Sequence, residues 1–284
     1  MIIVTGGAGF IGSRLIKELN NQGITDIIVV DDLTDGRKVK NIRDLDIEDY
    51  IDKDKFIEIL QVLSENKMVS QIYHLGAESA TTCTDGKYLM DNNYQFSCNI
   101  MNICMLNKIP LVYASSASVY GDSTNFDDNS NDYQPNNMYG YSKLLADKYA
   151  LTKTTQSNTI IGVRYFNVYS DGEFESHKEG MKSPTAWMKE QNDKYGQVEL
   201  FEGSENFKRD FIHIDEVVDI TIKLMEIGKS GIYNVGTGKA RSFVDMAHTI
   251  DKDIDIKYIP MPKELESHYQ SFTEADMTSY TKLI

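Results

Sequence analysis

Tyr139-Gly140-Tyr141-Ser142-Lys143 places a phenol and an ammonium four residues apart. On a helix such a pair projects from one face, one turn above the other. A free tyrosine, with a pKa near about 10, is a poor base at neutral pH. An ammonium ~4 Å away contributes on the order of 4 kcal/mol at an effective dielectric of ~20. That matches the ~3–4 kcal/mol needed to make the phenol a working proton acceptor. A well-placed Lys143 would therefore activate Tyr139. The same spacing also describes a helix start with an aromatic and a solvated lysine. Alone it favours that plainer reading, and two other stretches reverse it.

The first is the N-terminus. Met1 to Thr5 is a short apolar run with β-branched residues, readable as a buried strand. It runs into Gly6-Gly7-Ala8-Gly9-Phe10-Ile11-Gly12, which satisfies G-x-x-G-x-x-G and, from Gly7, G-x-G-x-x-G. Gly6, Gly9 and Gly12 permit a tight turn and close approach of backbone to a pyrophosphate. The pattern predicts a helix from about Phe10 to Asn21, whose N-terminal amides face the phosphates. A second strand, Ile27 to Val30, ends in Asp31, and an acid at that place binds the adenosine ribose. With a strand before and a helix after, dinucleotide binding outweighs a purely structural glycine turn.

The second stretch is Leu111-Val112-Tyr113-Ala114-Ser115-Ser116, followed by Ala117-Ser118-Val119-Tyr120-Gly121. It reads as an apolar strand that ends in serines just before the Tyr139 helix. A hydroxyl at the C-terminal end of a strand lies where open α/β sheets bind ligands.

The whole chain sets bounds on these readings. Its 284 residues suit one large α/β domain or two intimate ones. A net charge of −14 speaks against nonspecific binding to nucleic acid or anionic membranes. Cys83, Cys98 and Cys104 form no C-x-x-C pair and read as reduced thiols of a cytoplasmic protein. No apolar run reaches membrane-spanning length. Met1 already opens a strand, so no signal peptide is expected. No metal-ligand spacing is evident.

Strand and helix patterns alternate along the chain, which predicts a doubly wound parallel sheet of Rossmann type. Asp32 to Asp46 is polar; Arg37 and Lys38 there could receive a 2′-phosphate, which Asp32 would oppose. Asp52 to Asn66 reads as a helix, and Val69 to Leu75 as a strand ending in Gly76-Ala77-Glu78-Ser79. Asp85 to Leu106 has helical length, and Asn92 on it could simply tie helix to strand. Asp122 to Asn137 is a surface loop. The Tyr139 helix runs to about Thr155, and Thr159 to Tyr165 is another strand. Arg209 could grip a diphosphate through its bidentate fork, or pair with Asp210. Asp215 could cap a helix from Glu216 to Ile227.

Serine, tyrosine and lysine with a dinucleotide turn are the catalytic set of the extended short-chain dehydrogenase/reductases, and the chain resembles that NAD-dependent epimerase/dehydratase family. Within it, the similarity is to the branch that epimerises an ADP-heptose at carbon 6. It covers essentially the whole chain and rests on Asp85 to Tyr88, Met90 to Gln95, Tyr165 to Tyr169, Leu200 to Phe211 and Tyr269 to Thr273. Sugar 4,6-dehydratases carry an acid pair where this chain has Ala117 and Ser118, which argues against elimination of water.

The resemblance implies roles. Ser116 hydrogen-bonds the reacting oxygen; Tyr139 and Lys178 act as acid/base from opposite sides, with Lys143 beside Tyr139. Cofactor contacts fall on Gly6, Gly9, Phe10, Ile11, Gly12, Asp31, Asp32, Lys38, Lys53, Leu75, Gly76, Ala77, Glu78, Ser79, Asn92, Lys143 and Val168. Substrate contacts fall on Asn167, Gly180, Trp187, Phe201, Glu202, Gly203, Ser204, Arg209 and Tyr269. The implied cofactor is NADP, with NAD possible, and the implied substrate an ADP-sugar bound by a homo-oligomer. The expected division is residues 1–166 with about 215–240 for the dinucleotide, and 167–214 with 241–284 as a smaller C-terminal substrate-binding lobe. A UDP-hexose 4-epimerase or related enzyme, and a non-catalytic dinucleotide-binding scaffold, remain the alternatives.

Overall fold

Short runs of β-branched residues alternate with amphipathic helices, and the chain winds them into a parallel sheet covered on both faces. A computed structural model describes residues 1–154, 158–170, 182–263 and 270–284. Its strands are β1 (Ile2–Thr5), β2 (Ile27–Asp31), β3 (Asp49–Asp52), β4 (Gln71–His74), β5 (Leu111–Ser116), β6 (Ile160–Tyr165), β7 (Asn167–Tyr169), β8 (Val198–Phe201), β9 (Lys208–His213), β10 (Gly231–Val235), β11 (Ala240–Ser242) and β12 (Ile256–Ile259). Seven of them form one sheet in the order β3-β2-β1-β4-β5-β6-β10, and every pairing in it is parallel. This is the doubly wound Rossmann topology expected from the sequence, with its switch point between β1 and β4.

Alternation along the strands feeds two cores. Ile2, Val4, Ile27 and Val29 face the helices Phe10–Asn21 and Ile214–Ile227, against Leu15, Ile16, Val217 and Val218. Ile3, Ile28 and Val30 face the other way, toward Phe56, Leu60, Ile100, Met101, Ala146 and Ala150 on the helices Lys53–Glu65, Phe96–Asn107 and Met138–Lys153. Burial on both faces explains why the strands read as continuous apolar runs.

A smaller lobe gathers β7, β9 and β11 in one sheet and β8 with β12 in another. The helices Pro184–Tyr195 and Phe243–Ile250 pack there around Met188, Leu200, Phe211 and Met246.

One strand of the main sheet carries a charge through its centre. Arg164 in β6 is fully buried, and its Nε lies 2.9 Å from the buried Asp147 carboxylate. Its Nη1 donates to the Tyr120 hydroxyl at 3.0 Å, and the guanidinium lies over the Tyr120 and Tyr133 rings. Tyr113 donates to the other Asp147 oxygen.

Two local expectations change. The helix expected from Glu216 begins at Ile214, and its cap is His213, whose side chain accepts from the Asp215 amide. Asp215 instead pairs with Arg14 at 2.7 Å, joining the first helix to this one. The Asp85–Leu106 stretch is also not one α-helix: Gly86–Leu89 leads into a π-helical turn, Met90–Gln95, before Phe96–Asn107.

Candidate active site

The glycine turn closes on itself tightly. Gly6 has φ +67°, a conformation side chains avoid, and a Cβ on it would lie 2.6 Å from the Gly76 nitrogen. A Cβ on Gly12 would lie 2.2 Å from the Gly6 carbonyl oxygen. The helix that follows carries no acidic residue in its first turn and no side-chain cap. Its amide end therefore stays open to an anion. Gly12→Ala should cost about 1–3 kcal/mol of local packing at the turn and weaken dinucleotide binding roughly tenfold or more. Titration with reduced dinucleotide, followed by its fluorescence, reads this directly; undiminished affinity would remove the turn from the site.

A cleft of about 720 Å³ opens along the C-terminal ends of the strands. Gly6, Gly9, Phe10, Ile11, Gly12, Asp31, Lys38, Leu75 to Ser79, Ser116, Tyr139, Lys143, Asn167 and Val168 all line it. A smaller recess of about 200 Å³ shares Gly6, Asp31, Lys38 and Gly76 with it and adds Asp32, Lys53 and Asn92. The sequence reading missed Ala114, Tyr165, Phe166, Lys182, Ser183 and Pro184 on the cleft wall. Strand-end position could have signalled Ala114 and Phe166; nothing local marks Lys182.

Trp187, Phe201 to Ser204 and Arg209 lie in the smaller lobe and line neither cavity. Arg209 is buried, donates to the Lys208 and Gln270 carbonyls and lies over the Phe243 ring. The alternative pairing with Asp210 does not form: that carboxylate accepts from Thr237, Gly238 and Ala275 instead. Lys178, Gly180 and Tyr269 lie outside the described residues.

Around Asp31 and the smaller recess, carboxylates and lysines pair with one another. Asp31 accepts from the Ala8 amide at 2.8 Å and from Lys38 at 2.7 Å. Lys53 lies 3.5 Å from Asp32 and 3.4 Å from the Asn92 amide oxygen. Hydrogen bonds from Thr34 hold the Asp32 carboxyl below its ordinary range. Arg37 forks onto Asp35.

At the other end of the cleft, Asn137 caps the Met138–Lys153 helix by accepting from the Gly140 amide at 2.8 Å. A Cβ on Gly140 would lie 2.4 Å from the Ser118 carbonyl oxygen, so glycine lets this helix press against the end of β5. That contact sets Tyr139 and Ser116 on the wall of one cleft. Burial pushes the Tyr139 phenol above its ordinary pKa; the Ser116 hydroxyl opposes this and the Glu78 charge adds to it. The expected lowering by Lys143 is not seen, because the Lys143 ammonium points at the Ala114 carbonyl, 2.8 Å away. Burial lowers Lys143 itself to about 8, against the pull of Asp147.

This last shift makes a prediction for the protein without dinucleotide. Between about pH 8 and 10.5 the unfolded chain keeps a proton on Lys143 that the folded chain has released. Stability contributed by this group rises with pH in that window, since the unfolded state binds more protons. Lys143→Met carries no such proton. Its melting-temperature advantage at pH 7 should shrink as the pH passes 8; a constant gap between the two proteins would contradict the depressed basicity.

The residues present fit a nicotinamide dinucleotide. Side chains are missing where the turn must approach a pyrophosphate, the Asp31 carboxylate stands at the end of β2 on the cleft wall, and the cleft continues to Ser116 and Tyr139. Among the described residues no group of three His, Cys, Asp or Glu side chains could hold a metal ion. None of their helices is long and apolar enough to cross a membrane.

Fold and cleft together define a dinucleotide-binding protein of the short-chain dehydrogenase/reductase type. The chain belongs to the NAD dependent epimerase/dehydratase family, whose model it matches over residues 2–236. It is similar to ADP-L-glycero-D-manno-heptose-6-epimerase of Helicobacter pylori, with 30% identity and a TM-score of 0.87 over 99% of this chain and 89% of that one. UDP-glucose 4-epimerase of Thermotoga maritima shares the fold at 24% identity and TM-score 0.83, over 99% and 91% of the two chains. So does dTDP-glucose 4,6-dehydratase of Bacillus anthracis in complex with NAD, at 22% identity and TM-score 0.80, over 99% and 89%.

Proposed function

We propose that the chain is a nucleotide-sugar epimerase that interconverts ADP-D-glycero- and ADP-L-glycero-D-manno-heptose by transient oxidation at carbon 6. The observation that carries this reading is the meeting of Ser116, Tyr139 and Lys143 in the cleft that also holds the glycine turn. The heptose substrate is supported by the likeness to the H. pylori enzyme.

A bound nicotinamide supplies a place for the hydride to go and to return from. The chain's own residues manage the oxygen. Ser116 hydrogen-bonds the carbon 6 oxygen, and Tyr139, as phenolate, takes its proton while the hydride leaves. Inversion requires the hydride to return to the opposite face of the planar ketone. The dinucleotide is held by the glycine turn, so the sugar end turns over and its oxygen points away from Tyr139. Lys178 then donates the proton there. Lys38, Lys53 and Asp31 hold the adenosine end, and the two lysines support NADP. Each shares its charge with an aspartate, and a part-exposed ion pair is worth only ~0–1 kcal/mol, so NADP leads NAD by a small margin.

Incubation with ADP-D-glycero-D-manno-heptose, followed by NMR, tests the reaction through appearance of the L-glycero product. Turnover of a UDP-hexose instead would move the assignment to a 4-epimerase. Dinucleotide binding with no turnover of any nucleotide sugar would favour a scaffold. Titration of the dinucleotide-free protein decides the cofactor, and tenfold tighter NAD would reverse the NADP assignment. Light scattering tests the homo-oligomer.

A further inference from the structure

A buried chain of polar side chains runs behind the cleft and takes no part in the chemistry above. Thr5 and His74 are register partners at the ends of β1 and β4, the two strands that flank the switch point. The Gly76 amide donates to Thr5 Oγ1 at 3.1 Å. Thr5 Oγ1 lies 2.6 Å from His74 Nδ1, and His74 Nε2 lies 2.8 Å from Ser97 Oγ. Ser97 Oγ donates to the Asn93 carbonyl. The Asn93 side chain accepts from the Glu78 amide and donates to the Glu78 carbonyl, both at 2.9 Å. It also reaches Ser142 Oγ at 3.3 Å, and Ser142 donates to the carbonyl of Tyr139 at 2.7 Å.

The protons in this chain have one consistent arrangement. Each hydroxyl has a single hydrogen to donate. Ser97 spends its own on Asn93, so His74 must donate from Nε2. His74 Nδ1 is then bare and accepts from Thr5, which leaves Thr5 free to accept from Gly76. Thr5, His74, Asn93, Ser97 and Ser142 are all buried. Burial, aided by the Lys143 charge, lowers His74 to about 3, which keeps the imidazole neutral and the arrangement intact.

We propose that His74 is a positioning residue that, through Thr5 and Ser97, fixes the Gly76–Glu78 wall of the cleft relative to the helix carrying Tyr139. The proposal rests on the epimerase reading for its effect on turnover. Its physical content is wider: the helices after β1 and β4 leave on opposite faces of the sheet, and this chain of bonds ties the two strand ends to the catalytic helix across that divergence. The π-helical turn at Met90–Gln95 makes the link possible, since it turns Asn93 inward while Asn92 lines the smaller recess. A polar chain of this kind is rigid only while every member is satisfied.

Ser97→Ala cuts the chain at a residue that lines neither cavity and leaves the His74 N–H without a partner. A misplacement approaching ~1 Å costs about 10²-fold in rate, so a partial loosening should lower kcat at least roughly tenfold. KM for the nucleotide sugar should stay within about twofold, and Ser97→Thr, which keeps the hydroxyl, should restore most of kcat. Affinity for reduced dinucleotide, read by its fluorescence without any sugar, should fall in Ser97→Ala and recover in Ser97→Thr. If the wild type turns over no nucleotide sugar, the epimerase reading fails and the dinucleotide titration alone still decides the proposal. Folded Ser97→Ala with unchanged kcat and unchanged dinucleotide affinity would overturn it, as would equal losses in the Ala and Thr variants. Should Ser97→Ala not fold, Ser142→Ala cuts the far end of the same chain and is read in the same way.

Discussion

Tyr139→Phe is expected to lower epimerase turnover by about 10²–10⁴-fold, the usual contribution of a positioned acid or base. Affinity for the dinucleotide should change little, because the glycine turn, Asp31 and Lys38 are untouched. The phenol is held in its protonated form by burial and by Glu78. It is therefore ready to donate, while its use as a base requires the proton to leave first. Turnover in the oxidising direction should accordingly rise with pH until Tyr139 ionises, and Tyr139→Phe should abolish that limb. Lys178→Met should suppress epimerisation to a similar extent if two groups serve the two faces. A single-base enzyme would instead keep most activity in Lys178→Met. An aldehyde analogue at carbon 6 bypasses the first oxidation of an alcohol, so disproportionation to acid and alcohol should survive partly in one of the variants. Retention of normal turnover in Tyr139→Phe would remove the phenol from the mechanism.

Arg164→Met should be the most destabilising of the changes considered. It leaves the Asp147 carboxylate fully buried without its cation, an outcome that costs about 3–5 kcal/mol when one partner of a buried pair is removed. Tyr113 still donates to that carboxylate, and one neutral hydrogen bond does not replace a charge. The expected fall in melting temperature is roughly 10 °C. Arg164→Met combined with Asp147→Leu should recover much of the loss, since the penalty lies in the uncompensated charge more than in the missing attraction. Equal stability of the single and double variants would contradict this account.

The sequence carried the parts of the site that are local. The glycine turn needs only a strand before it and a helix after it, both visible in Met1–Asn21, and the helix was expected to start and stop where it does. Ser116 and Tyr139 sit at a strand end and a helix start, which the apolar pattern marks. The misses are features that depend on geometry between elements. Asn92, expected among the cofactor contacts, does line the smaller recess, but its neighbour Asn93, which nothing in the sequence marks, turns inward at the π-helical turn and bonds the Glu78 backbone. Lys143 was expected to act on Tyr139, yet the nearby Ala114 carbonyl is a better-placed partner for its ammonium. Arg164 sits in an apolar run that predicts a buried strand and gives no hint of Asp147, which is on another element.

The last strand of the main sheet has a consequence for how the chain is made. β6 is buried along its whole length and pairs with β10, whose residues follow only after the chain has left for the smaller lobe and returned. A nascent chain that has just released Tyr165 carries β6 with an open edge, and open apolar edges template association between chains. At about 5–20 residues per second on the ribosome, several seconds pass before Val235 is synthesised. During that interval the sheet is held only from the β5 side, so truncated transcripts or stalled translation in this window should yield insoluble product. Once β10 is made, the β6 edge is closed and this hazard ends.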